Sequence, residues 1–351
     1  LNRHERDSFT PEELAVVLSH FDLGPIESVT EFKRGSRRSP KVGIVAQRGK
    51  FLLKKRDRTR GGLQRVRYAH RIQRHLAAKN FPLPQLISPI DSPSVENGDD
   101  TLLVLDGEIY ELFEFVAGHA YAGTAAESRD AGRALARFHQ AMMDFPLDTA
   151  QESTGYHDAA AVQTGLNAIP QRLSAHDSVA GAEAELIALA VNLYEAYTEA
   201  AEAVERAGYE DWPLSVVHSD WHPGNLLFKR DAVAAVIDYD CAKIGKAISD
   251  VANGVLHFSI VAKGAPDAWP DHLDTARVAQ FLSGYQEINA LPAAQRTVLP
   301  QLMIEALIAE SVLPIAATGS FGQFDGFGFM RMVRRKVEWI QGNIKAETGE
   351  T

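Results

Sequence analysis

The chain contains a single cysteine, Cys241. Intrachain disulfides and cysteine-built zinc clusters are therefore excluded, which fits a reducing, cytoplasmic setting, and Cys241 itself reads as a small buried hydrophobe. Long hydrophobic runs are also missing. Stretches such as Leu214 to Val217 and Ala232 to Ile237 are strand-sized, far short of the roughly 18 residues a membrane span needs, so no membrane association is expected. Residues Leu1 to Asp7 are charged and carry no apolar stretch of the kind an export signal requires, so export is not expected. A chain starting at Leu1 rather than at methionine is expected to be processed or trimmed. Acidic residues are scarce in one region: between Lys33 and Lys79 there are seventeen lysines and arginines and one acid, Asp57. With a net charge of −10 overall, the rest of the chain is strongly acidic, and Phe51 and Tyr68 do not make a stacking series among the basic residues. A nucleic acid would be repelled by that remainder and find no such series to stack on, whereas the phosphates of a small ligand suit the basic stretch.

Apolar residues make up 45% and charged residues 23% of the 351, the balance of an ordinary globular enzyme too long for one core, so two domains are expected. Thr10, Pro11 and Glu13 spell a helix start for residues 10 to 23. Three β-type segments follow, Val29 to Phe32, Val42 to Ala46 and Phe51 to Lys54, then a helix over Gly62 to Lys79 that ends before Pro82 and Pro84. Asp106-Gly107 is a hairpin signal between Leu102 to Leu105 and Ile109 to Val116. After Ala117-Gly118 helical periodicity dominates, with helices expected from about Ser128, from about Ala182, and over 272–289, 297–313 and 329–343, and a Gly/Phe-rich loop at Thr318 to Gly328. The predicted architecture is α+β, with a β-rich N-terminal lobe (1–117) and a larger, mainly helical C-terminal lobe (118–351).

Between the apolar segments Leu214 to Val217 and Ala232 to Ile237 lies His218-Ser219-Asp220-Trp221-His222-Pro223-Gly224-Asn225, followed by Asp238-Tyr239-Asp240. Phosphoryl transfer asks a protein for a base that orients a hydroxyl, oxygen ligands for Mg2+, and positive charge against the phosphates. An Asp, an Asn five positions later and a second Asp after a strand turnaround have the spacing of the protein-kinase catalytic and metal-binding loops. In this reading Asp220 is the catalytic base, Asn225 and Asp238 hold the metal, and Asp240 is a further or water-mediated ligand. Magnesium takes hard oxygen donors and often only one or two carboxylates, the remainder being phosphate and water, so no histidine is required.

With its His-x-Asp-x-x-x-x-Asn segment, Pro223-Gly224 before Asn225, Ile237-Asp238 and Asp250-Val251-Ala252, the chain resembles the aminoglycoside phosphotransferase and choline kinase family over most of residues 25–260. The resemblance implies a protein-kinase-like bilobal fold, ATP (or GTP) and Mg2+ as cofactors, and a small hydroxyl-bearing acceptor such as a sugar, amino sugar, amino alcohol, homoserine-like compound or aminoglycoside. It makes His218 structural and Asp250 a brace of the catalytic loop. It places a phosphate-contacting lysine at the end of the third strand, matching Lys54; alternation puts Lys54 and Lys55 on opposite faces, so only one can face the nucleotide, and alternation alone does not choose. It also sets the turn from Arg34 to Lys41 over the phosphates, where Gly35, Ser36, Ser39 and Lys41 are the expected contacts despite there being only one glycine, and Glu114 and Val116 as hinge contacts to the base.

One departure stands out: the family has a glutamate on the helix after the lysine strand, and here that position falls near Ala69, beside His70. Another carboxylate, His70, or a different way of holding the lysine must serve. Two rival readings accompany the kinase. One is a non-catalytic binding or coat-associated protein on a kinase scaffold. The other is a dinuclear metal-dependent hydrolase using His218, Asp220, His222, Asp238, Asp240 and His257. Glu305 and Glu310 read first as solvated helix residues and second as lining of an acceptor pocket, and the Phe321 to Gly328 loop either closes over substrate or anchors its phenylalanines in the core.

Overall fold

The structure is a computed structural model that describes residues 8–32, 39–56, 62–90, 101–147 and 155–344. Gly35 and Ser36 lie outside these residues. Two compact units are formed: Leu1–Ala120 with Leu226–Asp240, and Tyr121–Asn225 with Cys241–Thr351.

The first unit opens with helix α1 (Pro11–Ser19), whose capping box is the one read from the sequence: Glu13 donates its amide to the Thr10 hydroxyl at 3.1 Å. Strands β1 (Ile26–Glu31), β2 (Lys41–Ala46) and β3 (Gly49–Lys55) form an antiparallel meander. Helix α2 (Leu63–Ala78) follows, then the short β4 (Leu86–Ile87) and the hairpin β5 (Leu103–Leu105) and β6 (Glu108–Glu114). Asp106 and Gly107 turn the hairpin with φ of 49° and 76°, the left-handed pair that an Asp-Gly turn supplies. The sheet order is β1-β2-β3-β6-β4, with β5 also on β6. Its core joins Val17, Leu18 and Phe21 to Ile44, Leu53 and Leu112.

Helices α3 (Ala125–Met142), α4 (Ala160–Leu173) and α5 (Glu183–Arg206), then β7 (Leu214–Val217), belong to the second unit. The next hairpin, β8 (Leu226–Lys229) with β9 (Ala232–Val236), belongs to the first unit. A boundary at residue 117 does not account for it. The hairpin is tied back by the amide of Val236 to the carbonyl of Pro82 (2.9 Å) and by reciprocal bonds between His119 and Phe228 (2.8 and 2.9 Å). Gly118 permits that approach, since a Cβ there would lie 3.0 Å from the Phe228 carbonyl oxygen.

The second unit resumes with β10 (Lys243–Lys246), antiparallel to β7, and continues with α6 (Ala247–Ser259), α7 (Thr275–Gln286), α8 (Ala293–Thr297) and α9 (Leu299–Thr318). It closes with a two-strand hairpin, β11 (Ser320–Phe321) and β12 (Phe324–Asp325), and α10 (Gly326–Asn343). The Gly/Phe-rich segment expected as a loop is thus shorter and structured. Helix α9 reaches Thr318 before Gly319 caps it at φ 80°, and α10 starts at Gly326 because the Asp325 side chain caps the Gly328 amide (2.9 Å). By length and composition α9 could cross a bilayer, but 72% of its apolar window is buried within the protein, as in a core helix.

Helices α3 and α7 cross almost in backbone contact. A Cβ on Gly284 would sit 1.8 Å from the Arg129 carbonyl oxygen, and one on Gly132 would sit 2.0 Å from that of Phe281. Backbone cannot yield as a flexible side chain can. Gly284→Ala and Gly132→Ala are each expected to destabilise by at least about 1–3 kcal/mol, and denaturant unfolding of the two variants measures it.

Candidate active site

On the first unit, strand alternation sorts the two lysines of β3. Lys55 stands opposite Tyr110 on the face covered by α1 and reaches Glu13 at 2.8 Å. Lys54 stands opposite Glu111 on the other face, where its ammonium lies 3.0 Å from Asp240 and 3.8 Å from Asp238. Lys41, opposite Lys54 on β2, shares this face; burial and the charge of Lys54 hold its ammonium below the ordinary lysine range, despite Asp238 and Asp240. Asp238 follows β9 with φ 66°, a left-handed backbone uncommon outside glycine and a mark of a site where position outweighs strain. Ser39 is half-buried just before β2, and Glu114 ends β6 with its amide donated to the Gln85 carbonyl at 2.8 Å. Val116 is half-buried two residues beyond the strand.

The question of the absent helix glutamate has a definite geometric answer in this unit. Glu111, within the apolar run of β6, is fully buried and carries an ion pair to Arg56, the residue after β3. His70 of α2 bonds the same carboxylate through Nε2 at 2.6 Å and Thr101 through Nδ1 at 2.7 Å. Arg56 then bridges from Glu111 to Asp240. Helix α2 therefore contributes a histidine that meets a strand carboxylate, and an arginine passes the connection on. Burial opposes the charge on Glu111, but the Arg56 guanidinium and the His70 hydrogen bond outweigh it and bring the carboxyl down to about 2. Asp240 lies well below the usual carboxylate range: burial opposes its charge, and Lys54 and Arg56 overcome it. Arg56 and Glu111 were not singled out from the sequence. The signal available was a charged residue in Ile109-Tyr110-Glu111-Leu112-Phe113, where the pattern calls for an apolar one.

On the second unit, the loop after β7 is held by Asp250 in the first turn of α6. Its carboxylate accepts the amides of His218 (2.6 Å) and Ser219 (2.8 Å), and His139, itself bonded to Tyr285, stands behind it at 3.3 Å. That clamp holds Ser219 at φ 62°. His218 is wholly buried, edge-on to Trp221 and Phe138 with ring centroids 5.5 and 6.0 Å away. Asp220 comes next in the chain, and the Asn225 amide donates to its carbonyl (2.9 Å) and its carboxylate (2.8 Å). His222 accepts the Gly224 amide on Nδ1 (2.9 Å), so its proton sits on Nε2, 3.4 Å from the Asp220 carboxylate. Gly224 is required by this turn, because a Cβ would fall 2.6 Å from the His222 ring. Burial works against the charge of Asp220, but His222 and Asn225 prevail and hold its carboxyl below the ordinary range.

Around Asp220 stand further groups. His257 bonds Glu310 at 2.7 Å and lies 5.9 Å, ring to ring, from His222. Burial presses the imidazole toward neutrality, but the charges of Glu310 and Asp220 raise its pKa. The Tyr156 phenol is pushed upward by burial and by Glu310 and Asp220. Glu305 is not a solvated helix residue: it is buried against His157 at 3.0 Å and lines a small cavity with Ser219 and Asp250. Phe321 stacks on Phe329 at 4.0 Å, so it anchors its hairpin. Among the described residues no three His, Cys, Asp or Glu side chains converge as a metal cage; the donors near Lys54 are carboxylate oxygens, which suit a hard cation that shares its shell with phosphate and water.

In overall fold the chain is similar to an aminoglycoside phosphotransferase from Alicyclobacillus acidocaldarius, with a TM-score of 0.68 at 13% identity over 97% of this chain and 96% of that one. It is also similar to amicoumacin kinase hAmiN, solved with AMP-PNP, Ca2+ and Ami, at a TM-score of 0.64, 12% identity and 95% and 94% coverage. The fold is thus that of the protein-kinase-like phosphotransferases, α+β with an antiparallel sheet and a mainly helical remainder. The sequence matches the model of the phosphotransferase enzyme family over residues 29–295, and the chain belongs to that family. A curated relative, the homoserine kinase of Hyphomonas neptunium (strain ATCC 15444), is 24% identical over 304 residues, 84% of this chain and 82% of that protein. The protein is a phosphotransferase with an alcohol group as acceptor, a small-molecule kinase.

The depressed Glu111 carboxyl has a pH signature. Its pKa falls from an ordinary 4.5 to about 2 on folding, so its stabilisation is complete above pH 4.5 and is lost as pH falls through about 2. Denaturant unfolding at stepped pH is expected to show a loss on the order of 3 kcal/mol across that window. The Glu111→Gln variant is expected to be less stable at pH 7 and flatter below 4.5.

Proposed function

We propose that the protein transfers the γ-phosphate of ATP to the hydroxyl of a small, amino-bearing acceptor such as homoserine, with Asp220 as the base. The observation that carries this reading is the state of Asp220: an ionised carboxylate on a loop clamped by Asp250, oriented by the Asn225 amide and by the proton on His222 Nε2. A base with a depressed pKa suits a loose phosphoryl-transfer transition state, in which the hydroxyl proton is lost late and orientation matters more than basicity.

In the reaction Asp220 accepts a hydrogen bond from the acceptor hydroxyl, aims its oxygen at the phosphorus, and takes the proton as the new P–O bond forms and the bond to the leaving β-phosphate oxygen breaks. Lys54 and Lys41 set positive charge against the phosphate oxygens. Asn225 Oδ1, Asp238 and Asp240 are the oxygen donors we assign to Mg2+. Bound magnesium would supply charge neutralisation on the transferring and leaving phosphates. Ser39 is assigned to the phosphate-covering turn together with Gly35 and Ser36, and Glu114 and Val116 to the base edge. His218 and Asp250 act through the loop they support. The choice of acceptor is supported by the homoserine kinase relative and by the neighbouring carboxylates of Asp220 and Glu310, the latter bonded to His257, whose negative charge suits an acceptor ammonium.

Asp220→Asn is expected to lower kcat by about 100- to 10,000-fold while leaving the affinity for Mg·AMP-PNP within about threefold, read by steady-state kinetics and calorimetry; an active Asp220→Asn enzyme would remove the assigned base. A coupled ADP-release assay over homoserine, amino alcohols, amino sugars, plain sugars and aminoglycosides is expected to respond to the small amino-bearing alcohols. Turnover with plain sugars alone would sink the acceptor assignment.

A further inference from the structure

We infer that Arg56 is an electrostatic gate on the metal loop: anchored by Glu111, it occupies Asp240 and bars a bare divalent cation, so that metal is accepted only together with a nucleotide's phosphates. The inference rests on the kinase reading for the role of Asp238 and Asp240, and adds a residue and a binding order that the reading does not contain.

One oxygen of Asp240 is shared by Arg56 and by Lys54, the latter at 3.0 Å, and Lys54 also lies 3.8 Å from Asp238. Lys41 sits on the same face across the β2–β3 pair. A dication arriving alone must therefore settle on carboxylates already neutralised by two bonded cations, beside a third. Like charges at these distances repel strongly in a half-buried setting. A dication arriving on a triphosphate carries net negative charge, and the same cations then attract it.

What makes Arg56 a gate rather than a loose counter-ion is its other end. The side chains of Lys54 and Arg56 are both largely buried, but only Arg56 is fastened to a fully buried carboxylate. Glu111 cannot release the guanidinium without being left charged in the interior, and His70, bonded to both Glu111 and Thr101, fixes the carboxylate's position. A planar guanidinium can serve two carboxylates at once; an ammonium such as that of Lys54 can swing away to a phosphate. Arg56 is thus a positioning residue for Asp240.

The test is titration of the whole protein with Mn2+ alone, followed by electron paramagnetic resonance, beside calorimetric titration with Mg·AMP-PNP. Removing Arg56 by itself would strand Glu111, so the informative variant is Arg56→Gln with Glu111→Gln, which takes away the cation and its buried partner together. It is expected to bind bare Mn2+ at least about tenfold more tightly than the wild type, a direction that loss of mere structural support would not produce. Glu111→Gln alone keeps the cation but removes its anchor, so bare Mn2+ is expected to bind between wild type and the double variant. Unchanged or weaker Mn2+ binding by the double variant, or tightening by Glu111→Gln alone as large as that of the double variant, would overturn the gate. Failure of the wild type to bind Mg·AMP-PNP would instead count against the kinase reading, with the Mn2+ comparison still reporting on Arg56.

Discussion

Glu111, Asp240 and Asp220 are wholly or partly buried carboxylates held ionised by their partners, and much of both units is arranged to do this. Burial raises the pKa of a carboxyl and costs several kcal/mol for a charge left alone. Glu111 meets Arg56 and His70, Asp240 meets Arg56 and Lys54, Asp220 meets His222 and Asn225, and Asp250 accepts two successive backbone amides. Each acid is held by partners on other elements or other turns. The charges consequently double as fasteners: α2 to β6, β3 to the loop after β9, and α6 to the loop after β7.

Two of the residues with left-handed backbones show what the fasteners hold in place. Ser219 and Asp238 are non-glycine residues with left-handed backbones, at φ 62° and 66°, one immediately before Asp220 and one at the end of the β8–β9 hairpin. A conformation of this kind persists only where its surroundings over-determine it. For Ser219 the surroundings are the Asp250 carboxylate, with His139 and Tyr285 behind it. The chain thereby trades backbone strain for the placement of Asp220 and Asp238, the carboxylates proposed above as base and metal ligand.

The relation of this chain to its family is also an electrostatic one. Members are expected to join a lysine on the third strand to a glutamate on the following helix. Here α2 brings His70 instead, the acid sits on β6, and Arg56 completes the link to Asp240. Charge balance is preserved while its carriers have moved, which is possible because Lys54 and Glu111 face one another across β3 and β6. A carboxylate on either neighbour can serve the same strand.

Local information was enough for much of this protein. The Thr10 capping box, the Asp106-Gly107 turn and the antiparallel meander follow from chemistry contained within a few residues, as does the spacing from Asp220 to Asn225 and Asp238 that exposed the phosphotransferase character. Lys54 and Lys55 mark the limit of such reading. Alternation shows that they part, but only the placement of α1 on one face and Asp240 on the other decides which goes where. Other features belonged to tertiary structure alone. The attachment of β8–β9 to the first unit depends on His119 and Pro82, far earlier in the chain, and the α3–α7 crossing depends on two glycines that meet backbone from the other helix. The start of α10 at Gly326 required a cap and a close approach to Gly319. Arg56 and Glu111 are 55 residues apart in sequence, and each alone reads as an ordinary charged side chain; their meaning comes from burial, which no local pattern states and which makes an ion pair obligatory.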